Sequence, residues 1–259
     1  GNRMEYYRYT NRFTWTKGKG IYDFYLPTYK GVNPETGLAQ YKTLTAQYAD
    51  GTEKVVTDLE QFKSQHKGEE YQLVEGVSSN WDEAVSEYVG KSATPKLTGG
   101  FGFDLRVKDF TLGTTFSYSL GGYAYDVAYA ILMSDNSVGG NNWHKDIEKR
   151  WTKPGDVTDV PMLTAGSSAG TYASARSTRF LTKRNYLSLS SIRLAYNMPN
   201  AWTARLGGMN GVQIYATGEN LFYLSARKGF MPGTSVTGES DDLQYMPSSS
   251  FTIGLKLNF

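Results

Sequence analysis

Gly166-Ser167-Ser168-Ala169-Gly170 matches G-x-S-x-G, the turn that presents the nucleophile of serine hydrolases. That chemistry needs a strand before the serine, a helix after it and a histidine as base. The flanks here are Thr164-Ala165 and Thr171-Tyr172-Ala173, and no histidine follows Ser168. The segment therefore reads as a small-residue loop, with no catalytic residue and no enzyme. His66 and His144 stand in polar stretches without a second ligand at metal spacing. Glu239-Ser240-Asp241-Asp242 offers clustered carboxylates of the kind calcium favours, but it lacks the spaced ligands of a calcium loop and reads as a solvated acidic tip. Gly99-Gly100-Phe101-Gly102 opens a strand and not a helix, so it is no phosphate loop. With no cysteine there is no disulfide, thiolate metal site or cysteine nucleophile. No cofactor or metal is expected.

Aromatic side chains are the remaining candidates for ligand contact. The chain has 20 tyrosines, 12 phenylalanines and 5 tryptophans. Trp81, Trp143, Trp151, Tyr172 and Tyr245 lie in long polar stretches. They could stack on sugar rings or peptide side chains, or pack the loops against one another or a partner. A net charge of +2 carries no footprint of a nucleic-acid binder. The longest apolar run, Val127–Met133, is far short of the ~18 residues of a membrane helix. Residues 1–7 hold no apolar signal-peptide core, which says little of a chain that can begin inside something larger.

Those loops need a scaffold, and its signature is period two. Phe101, Phe103, Leu105 and Val107 alternate with polar residues or glycine. After Lys108-Asp109 the alternation resumes with reversed parity at Phe110, Leu112, Phe116, Tyr118 and Leu120. A two-residue turn would pair Val107 with Phe110, Leu105 with Leu112 and Phe101 with Phe116, all on one face. Tyr186–Met198 places Ile192, Leu194, Tyr196 and Met198 opposite Arg193 and Asn197. Gly211–Leu224 starts with Val212, Ile214 and Ala216 against Gln213, Tyr215 and Thr217. Phe251, Ile253, Leu255, Leu257 and Phe259 alternate with Thr252, Gly254, Lys256 and Asn258. Short helices are expected at Leu59–Lys67 and Asn142–Trp151.

An antiparallel sheet with one apolar face either packs on a second sheet or faces lipid. A soluble β-sandwich that binds carbohydrate is the first possibility. Three features favour the second. The spans match the roughly 9–11 residues that cross a bilayer when tilted. Tyrosine and phenylalanine suit interfacial girdles. Short connectors at Lys108-Asp109 and Pro199–Asn210 contrast with long loops at 135–182 and 226–247, the asymmetry of outer-membrane barrels. About five strands (Leu97–Val107, Phe110–Gly121, Tyr186–Met198, Gly211–Leu224, Ser249–Phe259) cannot close a barrel, since small closed barrels need about eight. The expected fold is all-β: the C-terminal part of a large antiparallel transmembrane barrel, not closed by this chain alone.

Six segments occur in order: Gly31-Val32-Asn33-Pro34-Glu35-Thr36-Gly37; Phe116-Ser117-Tyr118-Ser119-Leu120-Gly121-Gly122; Arg150-Trp151-Thr152-Lys153-Pro154-Gly155-Asp156 with Thr158-Asp159; Arg179-Phe180-Leu181; Gly218-Glu219-Asn220-Leu221; and Leu255-Lys256-Leu257-Asn258-Phe259. Together, and over essentially the whole chain from about Ile21, they resemble the C-terminal quarter of the SusC/RagA family of TonB-dependent outer-membrane transporters. The resemblance implies a barrel of about 22 strands, multi-pass in the bacterial outer membrane. It also implies an N-terminal plug, energy from TonB, a SusD-like surface lipoprotein as partner, and import of oligosaccharides or oligopeptides. Plug, TonB-contacting segment and most of the barrel would lie outside this chain.

On that reading residues 1–95 are mostly extracellular loop following an earlier barrel strand. Residues 96–259 hold the last strands, with long extracellular loops 135–182 and 226–247. Phe101, Phe103, Leu105, Val107, Phe110, Leu112, Phe116, Ile192, Leu194, Ile253 and Leu255 should face lipid, and Asp104, Arg106, Arg193 and Lys256 the lumen. Phe251, Ile253, Leu255, Leu257 and Phe259 are expected to form the strand that the assembly machinery reads.

Overall fold

A strand turns successive side chains to opposite faces, so alternating sequence builds a two-faced sheet. The computed structural model describes residues 6–8, 12–134, 142–164, 172–203, 211–237, 239 and 247–258. In chain order the first strands are β1 (Tyr6–Arg8), β2 (Thr14–Thr16), β3 (Asp23–Pro27), β4 (Tyr29–Val32), β5 (Ala39–Tyr48) and β6 (Glu53–Val55). Helix α1 (Leu59–Gln65) leads to β7 (Tyr71–Ser78), β8 (Ser86–Ser92), β9 (Leu97–Val107) and β10 (Phe110–Leu120). There follow β11 (Tyr123–Tyr125), α2 (Val127–Leu132), β12 (Leu181–Lys183), β13 (Tyr186–Asn197), β14 (Gly211–Ser225) and β15 (Ser250–Asn258). No helix among the described residues is long and apolar enough to cross a membrane, which says nothing of strands.

The chain forms two compact units. One takes the described residues of Gly1–Thr94, Tyr123–Thr182 and Glu239–Asp242; the other takes those of Pro95–Gly122, Lys183–Gly238 and Leu243–Phe259. The described residues of 135–182 group with the first unit, as β11 does, while β10 and β13 belong to the second.

The second unit carries one antiparallel sheet in the order β15-β14-β13-β10-β9. Lys108, at a left-handed φ of 52°, and Asp109 make the two-residue turn. Val107 pairs with Phe110, Leu105 with Leu112 and Phe101 with Phe116, the register that alternation predicts. The Phe101 and Phe116 rings stack at 4.9 Å, and the Phe110 and Tyr196 rings lie 4.8 Å apart. Cross-strand aromatic pairs of this kind contribute about 0.5–1.5 kcal/mol beyond their buried area.

Two irregularities were not read from the pattern. The pairing of β10 with β13 shifts register at Thr115/Phe116, and that of β13 with β14 shifts between Leu189 and Ser191. The extra residue in β13 moves its apolar parity from Leu187 and Leu189 to Ile192 and Leu194, so all four stay on one face. Asn220, with φ of 52°, absorbs the second bulge, as a residue tolerant of the left-handed region can.

The first unit has shorter strands and a closed interior. β5 pairs with β4, β6 and β7, and β3 pairs with β8. One apolar cluster joins Phe13, Phe24, Leu26, Tyr125, Met133 and Phe180; another joins Leu44, Val56, Phe62 and Val85. Each such side chain contributes about 1.5–3 kcal/mol on burial. Helix α1 starts where Asp58 accepts the Gln61 N–H at 3.0 Å and the Tyr25 hydroxyl at 2.7 Å. The helix expected over Asn142–Trp151 is only the 3₁₀ segment Lys145–Lys149, capped by the His144 ring. A stretch that short gains too few intrahelical bonds to offset nucleation.

Candidate functional site

The second unit's sheet presents two chemically opposite surfaces. Register puts Phe101, Phe103, Leu105, Val107, Phe110 and Leu112 on one face with Ile192, Leu194, Ile214, Ile253 and Leu255. That face is uncovered: Phe251, Ile253 and Leu255 are 79%, 83% and 60% exposed, and Phe101, Phe103, Leu105 and Val107 are exposed along with the rest of β9. Scattered exposed apolar residues are ordinary, but a contiguous face of them marks a contact with something other than water.

The opposite face is polar and holds itself in place. The Arg193 guanidinium sits 4.3 Å from the Tyr215 ring centre and donates to Gln213 Oε1 at 3.0 Å. Gln213 Nε2 in turn donates to Asn197 Oδ1 at 2.7 Å. Gly254 pairs with Tyr215, and a Cβ there would collide with the Tyr215 ring, so glycine leaves the ring its place on the sheet. Asp104, Arg106 and Lys256 share this face by register.

At the Ser225 end of β14 the polar face deepens into a cavity of about 450 Å³. Ser117, Ser188 and Ser190 form its floor, with Ser117 Oγ 2.9 Å from Ser188 Oγ and 3.2 Å from Ser190 Oγ. Tyr186 and Tyr223 stack at 5.1 Å along one wall. The segment after β14 forms the rim and is tied down. Arg184 donates to the carbonyls of Pro232 at 3.1 Å, Ser235 at 3.4 Å and Val236 at 2.9 Å. The Ser225 hydroxyl reaches the Phe230 carbonyl at 2.5 Å. Burial lowers the Arg184 pKa, and the three carbonyls accept from its Nη1 and Nη2. No sequence pattern announced this cavity, because its serines and tyrosines are simply the polar half of the alternation.

Comparison with known proteins bears on what such a sheet belongs to. No family model matches the chain. TonB-dependent receptor P3 of Formosa agariphila is 26% identical over 176 residues, 64% of this chain and 16% of that protein. TonB-dependent receptor P26 of the same organism is 27% identical over 192 residues, 69% of this chain and 18% of that protein. The chain thus spans less than a fifth of the length of these curated relatives. Among solved structures, the RagAB peptide importer in its closed-closed state aligns with a TM-score of 0.74 at 23% identity, over 99% of this chain and 25% of that one. The RagAB peptide transporter aligns with a TM-score of 0.73 at 24% identity, over 99% and 25%.

The fold is that of a section of a TonB-dependent transporter barrel.

In this barrel section the five-stranded sheet is a piece of wall, open at β9 and β15, as an unclosed part must be. The resemblance drawn from the six ordered segments agrees with both comparisons. Two of those segments meet in the first unit. Trp151 Nε1 donates to the Pro34 carbonyl at 2.8 Å, the Gly155 N–H donates to the same oxygen at 2.9 Å, and the Trp151 ring covers Gly37. Asp156 accepts from the Thr152 hydroxyl, the Thr152 N–H and the Lys153 N–H, which hold its carboxyl below the usual range. The Tyr29 hydroxyl donates to the Asp159 carbonyl at 2.9 Å. Burial pushes the Tyr29 pKa up to about 12, against the pull of the nearby Arg179.

The loop aromatics occupy separate places. Trp81 donates its indole N–H to the Arg176 carbonyl and lies under the Arg176 guanidinium at 5.6 Å. Trp143 donates to the Ser134 carbonyl at 2.9 Å. Trp81, Trp143 and Trp151 are therefore each tethered through nitrogen, which leaves only ring faces for any ligand. For Tyr172 the backbone alone is described, in a 3₁₀ turn. Tyr245 lies outside the described residues, as do Phe259, Ser168 and all of the acidic tip except Glu239. Glu239 pairs with Arg12 at 3.1 Å. His66 stacks on Phe62, and His144 caps the 3₁₀ segment. Among the described residues no group of three or more His, Asp or Glu is placed to hold a metal.

Proposed function

We propose that the chain is part of an outer-membrane TonB-dependent active transporter. It would work with the remaining barrel and plug, with TonB, and with a SusD-like surface lipoprotein, to import oligosaccharides or oligopeptides. The observation that carries this reading is the two-faced sheet: an uncovered apolar face backed by a polar, hydrogen-bonded one. A wall between lipid and a hydrated lumen requires that division. The relatives are named TonB-dependent receptors and the RagAB structures are of a peptide importer, which supports this reading.

On this reading Phe101–Val107, Phe110, Leu112, Ile192, Leu194, Ile253 and Leu255 contribute the lipid face at alternate positions. Lys108-Asp109 turns in the periplasm, and the long connections lie outside the cell. Trp81, Trp143 and Trp151 brace the extracellular loops and can offer a ring face to cargo. The alternative, a soluble carbohydrate-binding sandwich, would need a second sheet over the apolar face. Among the described residues of its unit there is one sheet only. The test is uptake: cells lacking the full-length protein, or carrying it with TonB uncoupled, should fail to accumulate a labelled oligomer that wild-type cells take up. Uptake unaffected by either change would sink the proposal.

A further inference from the structure

We propose that the cavity beside Tyr186 and Tyr223 binds an acidic sugar unit, a hydroxylated ring bearing a carboxylate, as part of the cargo. This rests on the import reading and adds a substrate class to it.

Three hydroxyls on the floor face one another. Each has one proton and two lone pairs, and the two contacts among Ser117, Ser188 and Ser190 use two of the three protons. One donor and most of the acceptor capacity remain for a ligand. Hydroxyls that both donate and accept match sugar hydroxyls, which do the same. The stacked Tyr186 and Tyr223 rings, 17° from parallel, add flat apolar area beside them. Among the described residues the Tyr186 hydroxyl meets no hydrogen-bond partner.

The charge of the site is one-sided. Among the described residues no Asp or Glu lines the cavity, and the one charged lining residue is Lys228, which makes no ion pair there. A cation at the rim of a hydroxyl-lined cavity favours an anionic group there. A peptide is the weaker fit, because β13 and β14 are both paired on each side and offer no sheet edge to read a peptide backbone. At about 450 Å³ the cavity falls within the size range of small-ligand sites. The rim is set in advance by Arg184 and Ser225, so binding need not order it.

The test is calorimetric titration of the purified full-length protein with tetragalacturonate, maltotetraose and tetraglutamate. We expect tetragalacturonate to bind at least about tenfold more tightly than maltotetraose, the scale of one charge-assisted hydrogen bond. Lys228→Gln should erase that advantage and leave maltotetraose unchanged, while Ser188→Val should weaken both sugars. Heat-modifiable migration of each variant shows that the barrel has assembled. Equal affinity for the two sugars, indifference to Lys228→Gln, or Lys228-dependent binding of tetraglutamate as tight as that of tetragalacturonate would overturn the proposal. TonB-dependent uptake of another oligomer by the same cells would then leave the import reading standing without it.

Discussion

Trp151 and Pro34 are joined across 117 positions of sequence by a hydrogen bond from the indole N–H to the proline carbonyl, 2.8 Å long. The contact locks the Asn33–Gly37 turn to the Arg150–Asp156 segment, so two of the ordered segments that carry the family resemblance form one piece of structure. Gly37 makes this possible, with φ of 70° and the indole where a side chain would be.

Replacing Gly37 by alanine should therefore be costly twice, through left-handed strain and through collision with the Trp151 ring. We expect a loss of about 2–4 kcal/mol from the first unit. Trp151→Phe keeps most of the ring and should cost about 1 kcal/mol. Limited proteolysis of the full-length protein should show cleavage near Lys153 accelerated more by Gly37→Ala than by Trp151→Phe.

Alkali should loosen the first unit. Burial raises both Tyr29 and Tyr125 to about 12, with Arg179 and Arg12 respectively opposing the shift. A folded pKa above the unfolded one means that the folded state binds more protons between about pH 10 and 12. The stability these phenols lend is complete below pH 10 and is lost as pH rises through that window, by at most about 3 kcal/mol for each group. Spectrophotometric titration should show late-ionising tyrosines. Tyr125→Phe should remove one of them and flatten the alkaline fall in melting temperature.

The bulge in β14 should be sensitive to backbone chemistry. Asn220 at φ of 52° tolerates replacement by glycine, whereas valine there should cost about 1–2 kcal/mol and slow assembly. Denaturant-induced unfolding of the refolded full-length barrel would measure the difference. Equal stabilities would mean that the bulge relaxes away.

Leu255→Arg places a charge on the uncovered face and should cost about 2–4 kcal/mol if that residue sits near the bilayer midplane. Lys256→Leu on the polar face should cost much less. Surface abundance and heat-modifiability of the full-length variants report both, and the reverse ranking would invert the faces.

The five long strands were legible because one apolar face imposes period two, and the Lys108-Asp109 turn fixes the hairpin register. The parity change at Ser190-Ser191 was not, since it follows from how β13 pairs with β10 and not from β13 itself. The first unit was read mostly as loop for a related reason. Its strand Asp23–Pro27 is buried at nearly every position, and its core borrows Tyr125, Met133 and Phe180 from a distant part of the chain. Buried runs without alternation, paired at long range, leave no local signal. Of the candidate contact residues, Trp81, Trp143 and Trp151 stand in long polar stretches, and their indole tethers cannot be read from composition. The serine and tyrosine cavity was missed because alternate polar residues look the same whether they face a lumen or bulk water.

The most direct test of a barrel wall is to scan residues 251–257 with nitroxide labels in the full-length protein, reconstituted in lipid vesicles. Accessibility to oxygen, which partitions into lipid, and to a water-soluble nickel chelate is then measured at each position. A barrel wall should show high oxygen and low nickel accessibility at 251, 253, 255 and 257, with the opposite at 252, 254 and 256. Uniform nickel accessibility, or alternation in the opposite phase, would contradict it.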